Sequence, residues 1–420
     1  MSNFTGVECI RCGRPLADNL IFDGCPHCQK EGYNVNYKTK YDYNDLAGMI
    51  KANRWPFAGR GIWKYRQLLP IKDDTVPVTL EEGGTPLRPL KKLGKKIGLN
   101  NLYVKDESRN PTWSYKDRLC SVAVTKAVED GAKVITISST GNHGAATAAY
   151  AAAAGIPCVV FTIPQVPETM KTLMQSYGAY VLATPTPNDR WKLMRQCVKE
   201  FSWVPISGYI SPPIGSNPYG IDGYKTLSFE IFEELGETPD FISVPAAYSD
   251  GLYGVWRGMV DLKELGLAEK LPKMVAAEVF GSLNNTLAQQ SLKPVTVDAQ
   301  WSVSFSIAGP LGTYQGLAAL KESDGFAETS DDEETMRMQH ILASTEGIYA
   351  EAASVTSLVA ISKLRAAGKI QEDEKVVAVI TSSGLKDPAQ TAKGLPTVPL
   401  IEPDLCHMSK SLKKNYGFII

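Results

Sequence analysis

Four cysteines fall in the first 28 residues, as Cys9-x-x-Cys12 and Cys25-x-x-Cys28. Each pair offers two thiolates from one tight turn, and two such pairs match the spacing of a tetrahedral S4 metal site. Gly13 and Gly24 supply the turns. Zinc suits the set better than iron, because a small knuckle needs only structural help. With Cys9, Cys12, Cys25 and Cys28 all bound, no position stays open for chemistry. Free thiols or redox pairs are the alternative, and His27 between two ligands reads as solvent-facing. A second candidate is Lys116, in the run DESRNPTWSYKDRL. Asn110-Pro111-Thr112 reads as a turn and Ser114 as the cap of a following helix. Lys116 then sits in the first helical turn, where the dipole disfavours a cation. A lysine there loses its proton more easily, and a neutral amine is what attack on a carbonyl requires. Taken alone, the position is far more often that of a surface lysine. A third candidate is the loop Ser138, Ser139, Thr140, Gly141, which runs from a strand end into a helix. Its N–H groups suit an anion, and a plain helix cap is the bland alternative.

These residues need a large scaffold to position them. The chain has 420 residues, 44% hydrophobic and 21% charged, the composition of a globular protein with room for two or three domains. Lys and Arg total 44 against 45 Asp and Glu, a net charge of −1. That balance gives no general pull toward nucleic acid or an anionic membrane. The start MSNFTGVECIRCG lacks a basic and an apolar region, so no secretory signal is read and the cytoplasm is the expected location. The longest apolar run, Ala145 to Phe161, is broken by Gly155 and Pro157. It reads as a buried helix followed by a strand, not a membrane span. Cys120, Cys158, Cys197 and Cys406 read as buried small hydrophobes.

From about residue 85 onward, short apolar runs alternate with helical segments. Expected strands are 102–104, 134–137, 158–161, 180–183, 241–244, 274–278 and 376–381. Expected helices are 116–129, 143–154, 168–177, 189–201, 223–235, 251–262, 312–321 and 352–366. Strands separated by helices argue for parallel sheets covered on both faces. Residues 46–80 read as a connector, and the acidic segment 323–334 (SDGFAETSDDEE) as an exposed loop.

The run NPTWSYKDR resembles the cofactor lysine motif of threonine synthases, pyridoxal-phosphate enzymes of the tryptophan synthase β-like fold (fold type II). Further segments resemble that family in the same order: EEGGTPL (81–87), SSTGNHGAA (138–146), NPYGIDGYKT (217–226), EGIYAEAAS (346–354) and VITSSGLKDP (379–388). The N-terminal cysteine knuckle occurs in many such proteins too. The resemblance implies an α/β fold of two doubly wound parallel-sheet domains with pyridoxal 5'-phosphate between them, plus a small zinc-ribbon-like knuckle. It implies a knuckle over 1–45, a large cofactor domain over 46–117 and 207–420, and a small domain over 118–206. It implies a homodimer acting on a small-molecule amino acid, with no nucleic acid or membrane partner. Lys116 would bind the cofactor and then move protons at the substrate's α and β carbons. Asn142 would hydrogen-bond the cofactor's 3′ oxygen, and Thr381 would meet the pyridine nitrogen as a neutral hydroxyl. Ser138, Ser139, Thr140, Gly141 and His143 would hold the substrate. Ala247, Tyr248, Ser249 and Gly251 would take the cofactor phosphate at a helix N-terminus, with Asp250 turned away as a helix cap.

The resemblance implies a lyase or synthase that eliminates a β or γ leaving group such as phosphate, then adds water or another nucleophile. Some positions depart from it. Gly220 stands where the family has an arginine, which removes a bidentate phosphate partner. Trp113, Ser383 and Ala352 replace a glycine, a histidine and a proline. His143 makes STGNHG closer to the loop of serine and threonine dehydratases. A serine/threonine or diaminopropionate ammonia-lyase is therefore the alternative. Lys225, Arg118 and Arg257 are the remaining candidates to supply charge for a phosphate, or are structural.

Overall fold

The structure is a computed structural model that describes residues 2–16, 21–52 and 57–420. Among the described residues, twelve strands form three sheets. β1 (Phe4–Cys9) and β2 (Tyr37–Tyr41) make an antiparallel pair that carries the cysteine knuckle. β3 (Leu87–Pro89) and β4 (Asn101–Asp106) pair antiparallel. Then come β5 (Ile135–Ser138), β6 (Cys158–Thr162), β7 (Tyr180–Ala183) and β8 (Val204–Pro205), all parallel in the order β7-β6-β5-β8. Finally β9 (Phe241–Pro245), β10 (Lys273–Glu278), β11 (Phe326–Thr329) and β12 (Lys375–Ile380) join the first pair in the order β11-β10-β9-β12-β4-β3. All pairings in this sheet except β3–β4 are parallel.

Central strands such as β5, β6 and β9 are buried along their whole length. This is why they read as unbroken apolar runs and not as alternation. Ile137 of β5 and Ile242 of β9 belong to one apolar cluster with Leu119, Ala123 and Ala127 of the helix Lys116–Glu129. That helix therefore packs into the core shared by the two parallel sheets. Its backbone is approached closely by the segment after Asn217. A Cβ at Gly223 would overlap the Arg118 carbonyl, so only glycine fits there.

The first turn of this helix is fixed by charge. The Arg118 side chain is fully buried. Its Nε and Nη2 donate to Glu107 at 2.7 and 2.9 Å, and its Nη1 and Nη2 donate to Glu230 at 2.7 Å each. Lys105, also fully buried, reaches Glu230 at 2.9 Å and Glu234 at 2.5 Å. Burial alone would raise the Glu230 pKa, but the charges of Arg118 and Lys105 hold it below the usual carboxylate range.

Several expectations change here. The acidic segment 323–334 is not a loop. It contains β11, which completes the sheet beside β10, and the start of the helix Asp332–Glu346. Asp331 caps that helix in a reciprocal box with Glu334, so the acidic run is a helix start and suits its dipole. Residues 46–80 are not a bare connector: Ile62, Tyr65 and Leu68 of a 3-10 segment are buried. Ser114 does not cap its helix. The N-cap is Tyr115, and the Ser114 hydroxyl is buried without a partner. Cys120, Cys158 and Cys197 are buried, whereas Cys406 is exposed on the helix Leu405–Tyr416. Residues 387–420 form a compact unit of their own. Among the described residues, no helix is long and apolar enough to cross a membrane.

Removing one member of a buried ion network leaves its partners uncompensated, at about 3–5 kcal/mol. Arg118→Leu, which leaves Glu107 and Glu230 facing each other, should lower unfolding free energy by that amount in urea titration. An unchanged midpoint would show that the network does not hold the helix start.

Candidate active site

The C-terminal ends of β4, β5, β9 and β12 lead into the loops that build the site. Crevices at such strand ends are where open parallel sheets bind ligands. Lys116 is the first residue of its helix. The loop before it is stitched from both sides. Asp117 accepts from the Thr112 N–H at 2.8 Å and the Thr112 hydroxyl at 2.7 Å. The Tyr115 N–H donates to the Thr381 carbonyl at 2.9 Å, and the Ser383 N–H to the Trp113 carbonyl at 3.1 Å. Burial pushes the Asp117 carboxyl up to about 7. The Lys116 Nζ lies 5.0 Å from the Tyr115 ring centre and 5.5 Å from that of Tyr224. Among the described residues Lys116 makes no ion pair.

A cavity of about 180 Å3 opens beside it. Every residue expected to bind cofactor or substrate lines it: Lys116, Ser138, Ser139, Thr140, Gly141, Asn142, His143, Ala247, Tyr248, Ser249, Gly251 and Thr381. These come from four loops that are far apart in sequence.

Each loop presents different chemistry. After β5, the Ser139 hydroxyl accepts from the N–H groups of Gly141 and Gly144 at 3.2 and 2.9 Å. This turn starts the helix Asn142–Ala153, whose first N–H groups are left over for a ligand. The Ser138 hydroxyl and the His143 Nε2 are buried without partners. Burial, then the Lys116 charge, lowers the His143 pKa well below its ordinary value, so the ring is neutral at pH 7. Asn142 donates from Nδ2 to Glu351 at 2.7 Å, and Ser382 donates to its Oδ1 at 3.4 Å. Glu351 also accepts from Ser306 at 2.7 Å. One hydrogen of the Asn142 amide stays available.

After β9, the loop enters the helix Asp250–Glu264 through Ser249, at φ 61°. The N–H groups of Ala247, Tyr248 and Ser249 find no backbone or side-chain acceptor among the described residues. They form a cradle of donors at a helix N-terminus. Asp250 does not cap the helix. It occupies the first helical position, and its carboxylate accepts from the Ser216 N–H at 2.8 Å and from Gln315 at 2.7 Å. Burial raises its pKa. After β12, the Thr381 hydroxyl meets the Ser354 hydroxyl at 2.8 Å, a neutral pair.

The three cations considered for a phosphate face elsewhere. Arg118 lies between its two glutamates, as described above. Lys225 is fully buried 2.8 Å from Asp261. Arg257 is buried and donates to the Thr39 carbonyl at 2.9 Å. Gly220 is not a cavity position: a Cβ there would lie 2.9 Å from both Leu119 Cγ and Ala123 Cβ. Sequence reading missed Glu351 as the partner of Asn142 and Arg190 as a lining cation. Glu351 lies inside the quoted EGIYAEAAS segment. Arg190 gives no signal, because a single arginine on a polar helix looks like a surface charge.

At the knuckle, the sulfurs of Cys9, Cys12, Cys25 and Cys28 all lie within 4.8 Å of one another. Cys9 and Cys28 are 3.6 Å apart, and Cys12 and Cys25 are 3.7 Å apart. Tetrahedral ligation with bonds of ~2.3 Å requires sulfurs roughly 3.8 Å apart. Arg11 approaches Cys28 at 3.7 Å.

Residues 78–382 match the pyridoxal-phosphate dependent enzyme family. The chain belongs to that family. Curated relatives include the threonine synthase of Methanocaldococcus jannaschii, 32% identical over 97% of this chain and 99% of that one. Another is the threonine synthase of Methanosarcina acetivorans, 35% identical over 91% and 92%. Within the family, the chain is a threonine synthase-like, pyridoxal-phosphate-dependent lyase. Among solved structures, maize serine racemase superposes with a TM-score of 0.63 at 19% identity, over 74% of this chain and 91% of that one. Diaminopropionate ammonia lyase from Escherichia coli gives 0.63 at 17% identity, over 75% and 88%. At these identities the two structures share the fold alone.

A histidine neutral in the fold and free to protonate when unfolded makes stability rise with pH. Below the unfolded value of about 6.5, that contribution is about 1.4 kcal/mol per pH unit. Denaturant titrations between pH 5 and 6.5 should show His143→Gln with a shallower slope than the parent chain, the difference growing from about half a proton at pH 6.5 toward one proton at pH 5. Equal slopes would place a charged imidazole in the fold.

Proposed function

We propose that the chain catalyses a threonine synthase reaction, in which phosphate leaves the γ carbon of O-phosphohomoserine and water adds at the β carbon. The observation that carries the reading is the Lys116 amine, without an ion-pair partner, in a cavity that also holds two sets of free N–H donors. The residues fit pyridoxal phosphate. The unpaired N–H groups of Ala247, Tyr248 and Ser249, with Gly251, suit its phosphate. Asn142 suits its 3′ oxygen, Thr381 its ring nitrogen, and Lys116 its aldehyde. When bound, the cofactor withdraws electrons from the substrate's α carbon. The neutral Thr381–Ser354 pair leaves that withdrawal weaker than a carboxylate would, which suits elimination. Lys116 takes the α proton and moves protons at the β carbon. The N–H groups of Thr140, Asn142 and His143, with the Ser138 hydroxyl, hold the substrate carboxylate. Neutral His143 places no second positive charge beside Lys116.

The ammonia-lyase reading draws on His143 and is separated by the same assay. Protein loaded with pyridoxal phosphate should release phosphate without ammonia from O-phosphohomoserine. Ammonia from serine, threonine or diaminopropionate, with no phosphate release, would mean an ammonia-lyase instead. Lys116→Ala should lose the visible absorbance of lysine-bound cofactor and reduce turnover by at least 10³-fold; retention of both would remove Lys116 from its role.

The sulfur geometry supports a structural zinc ion on Cys9, Cys12, Cys25 and Cys28. Metal analysis should then find one zinc per chain, lost in Cys9→Ser together with Cys28→Ser. Metal-free parent protein would leave the knuckle as four thiols. We read the domains as 1–45, 46–117 with 207–420, and 118–206. The grouping of β5 to β8 into one sheet supports the last of these. A homodimer rests on the family resemblance alone.

A further inference from the structure

The cavity contains a cation that the reading above does not use. Arg190 lies in the first turns of the helix Pro187–Phe201 and lines the same cavity as Lys116. Its Nε donates to the Pro187 carbonyl at 3.2 Å, which fixes the plane of the guanidinium. Its Nη1 is buried and has no partner. Among the described residues it makes no salt bridge, unlike buried Arg118, Lys105 and Lys225. Around it are aromatic groups and not carboxylates: its Cζ lies 5.7 Å from the Trp191 ring centre, and the Trp191 and Tyr248 rings lie 6.3 Å apart. Burial lowers its pKa. A guanidinium remains protonated in such surroundings. Arg190 is half-buried, and a cation whose buried nitrogen lacks a partner is costly unless an anion completes it.

Counting anions shows which one is missing. The cavity offers three separate donor sets. The loop of Ala247 to Ser249 takes the cofactor phosphate. The loop of Thr140 to His143 takes the substrate carboxylate. Arg190, on a third element, is left with fork-shaped donors suited to a phosphate or carboxylate. Serine, threonine or diaminopropionate has no second anionic group to place there. The position where the family resemblance expects an arginine, Gly220, is packed against Leu119 and Ala123 and cannot hold one.

We propose that Arg190 binds the phosphate of the substrate and so selects a phosphorylated amino acid over an unphosphorylated one. This rests on the reading that the cavity takes cofactor and amino acid together. The charge lost at Gly220 is supplied here from another helix, by a residue whose sequence context looks like surface.

The test uses the cofactor-loaded enzyme and its Arg190→Gln and Arg190→Lys variants. Binding of inorganic phosphate is measured by calorimetry, and kcat and KM for O-phosphohomoserine are measured separately. Arg190→Gln should weaken phosphate binding and raise KM by at least tenfold each, with cofactor absorbance retained and with partial recovery in Arg190→Lys. Equal phosphate affinity in parent and Arg190→Gln, or no phosphate binding by the parent, overturns the assignment. Loss of cofactor from Arg190→Gln overturns it too, because the guanidinium would then serve the cofactor. If the parent binds phosphate through Arg190 yet releases none from O-phosphohomoserine, the anion site stands and the reaction proposed above fails.

Discussion

The buried Arg118 between Glu107 and Glu230 is the constraint on which the site depends. Arg118 lies two residues after Lys116 on the same helix. Its partners come from the end of β4 and from the helix Lys225–Leu235. A guanidinium taken out of water is tolerated only with close to ideal pairing. Here every nitrogen is used: Thr226 and Thr85 accept at 2.9 and 3.1 Å in addition to the two carboxylates. The geometry of this cluster fixes where the helix begins, and hence where the Lys116 amine projects. Asp117, bonded to Thr112, locks the same turn from the opposite side.

Around that fixed point, the parallel sheets do the rest. Their strands end together, so loops from β4, β5, β9 and β12 meet at one place with N–H groups directed into it. Two of these loops run straight into helices, which is why free donors accumulate there. Side-chain carboxylates in the neighbourhood are turned away or occupied. Asp250 is held by Ser216 and Gln315, and Glu351 by Asn142 and Ser306. The cavity is thus left rich in donors and suited to anions. Gln315 also accepts at 3.3 Å from Asn36, which follows the cysteine knuckle. The knuckle is therefore connected through buried polar groups to the loop carrying Tyr248, and Gln315 donates to the Tyr248 carbonyl at 2.8 Å.

The alternation of apolar runs and helical periods was enough to place most strands and helices, because buried parallel strands and their covering helices carry strong local signals. The helices 116–129 and 352–366 have the bounds the pattern suggested. The acidic segment 323–334 misled because its charge is used locally, as the first turn of a helix, and because β11 is short and gains its stability by pairing with β10. Ser114 misled for a similar reason: cap identity depends on backbone angles that the Thr381 carbonyl imposes through Tyr115.

The sequence by itself determined the lysine, its loop partners and the sulfur set. These lie in short segments whose residue types carry the chemistry wherever they fold. The tertiary structure decided which charges are free. Arg118, Lys225 and Arg190 look alike as letters in a sequence. The first finds Glu230 more than a hundred positions away, the second finds Asp261 on another helix, and the third finds no counter-charge among the described residues. Charge pairing acts through space with no regard to sequence distance, so only the folded chain shows which cation is left for a ligand.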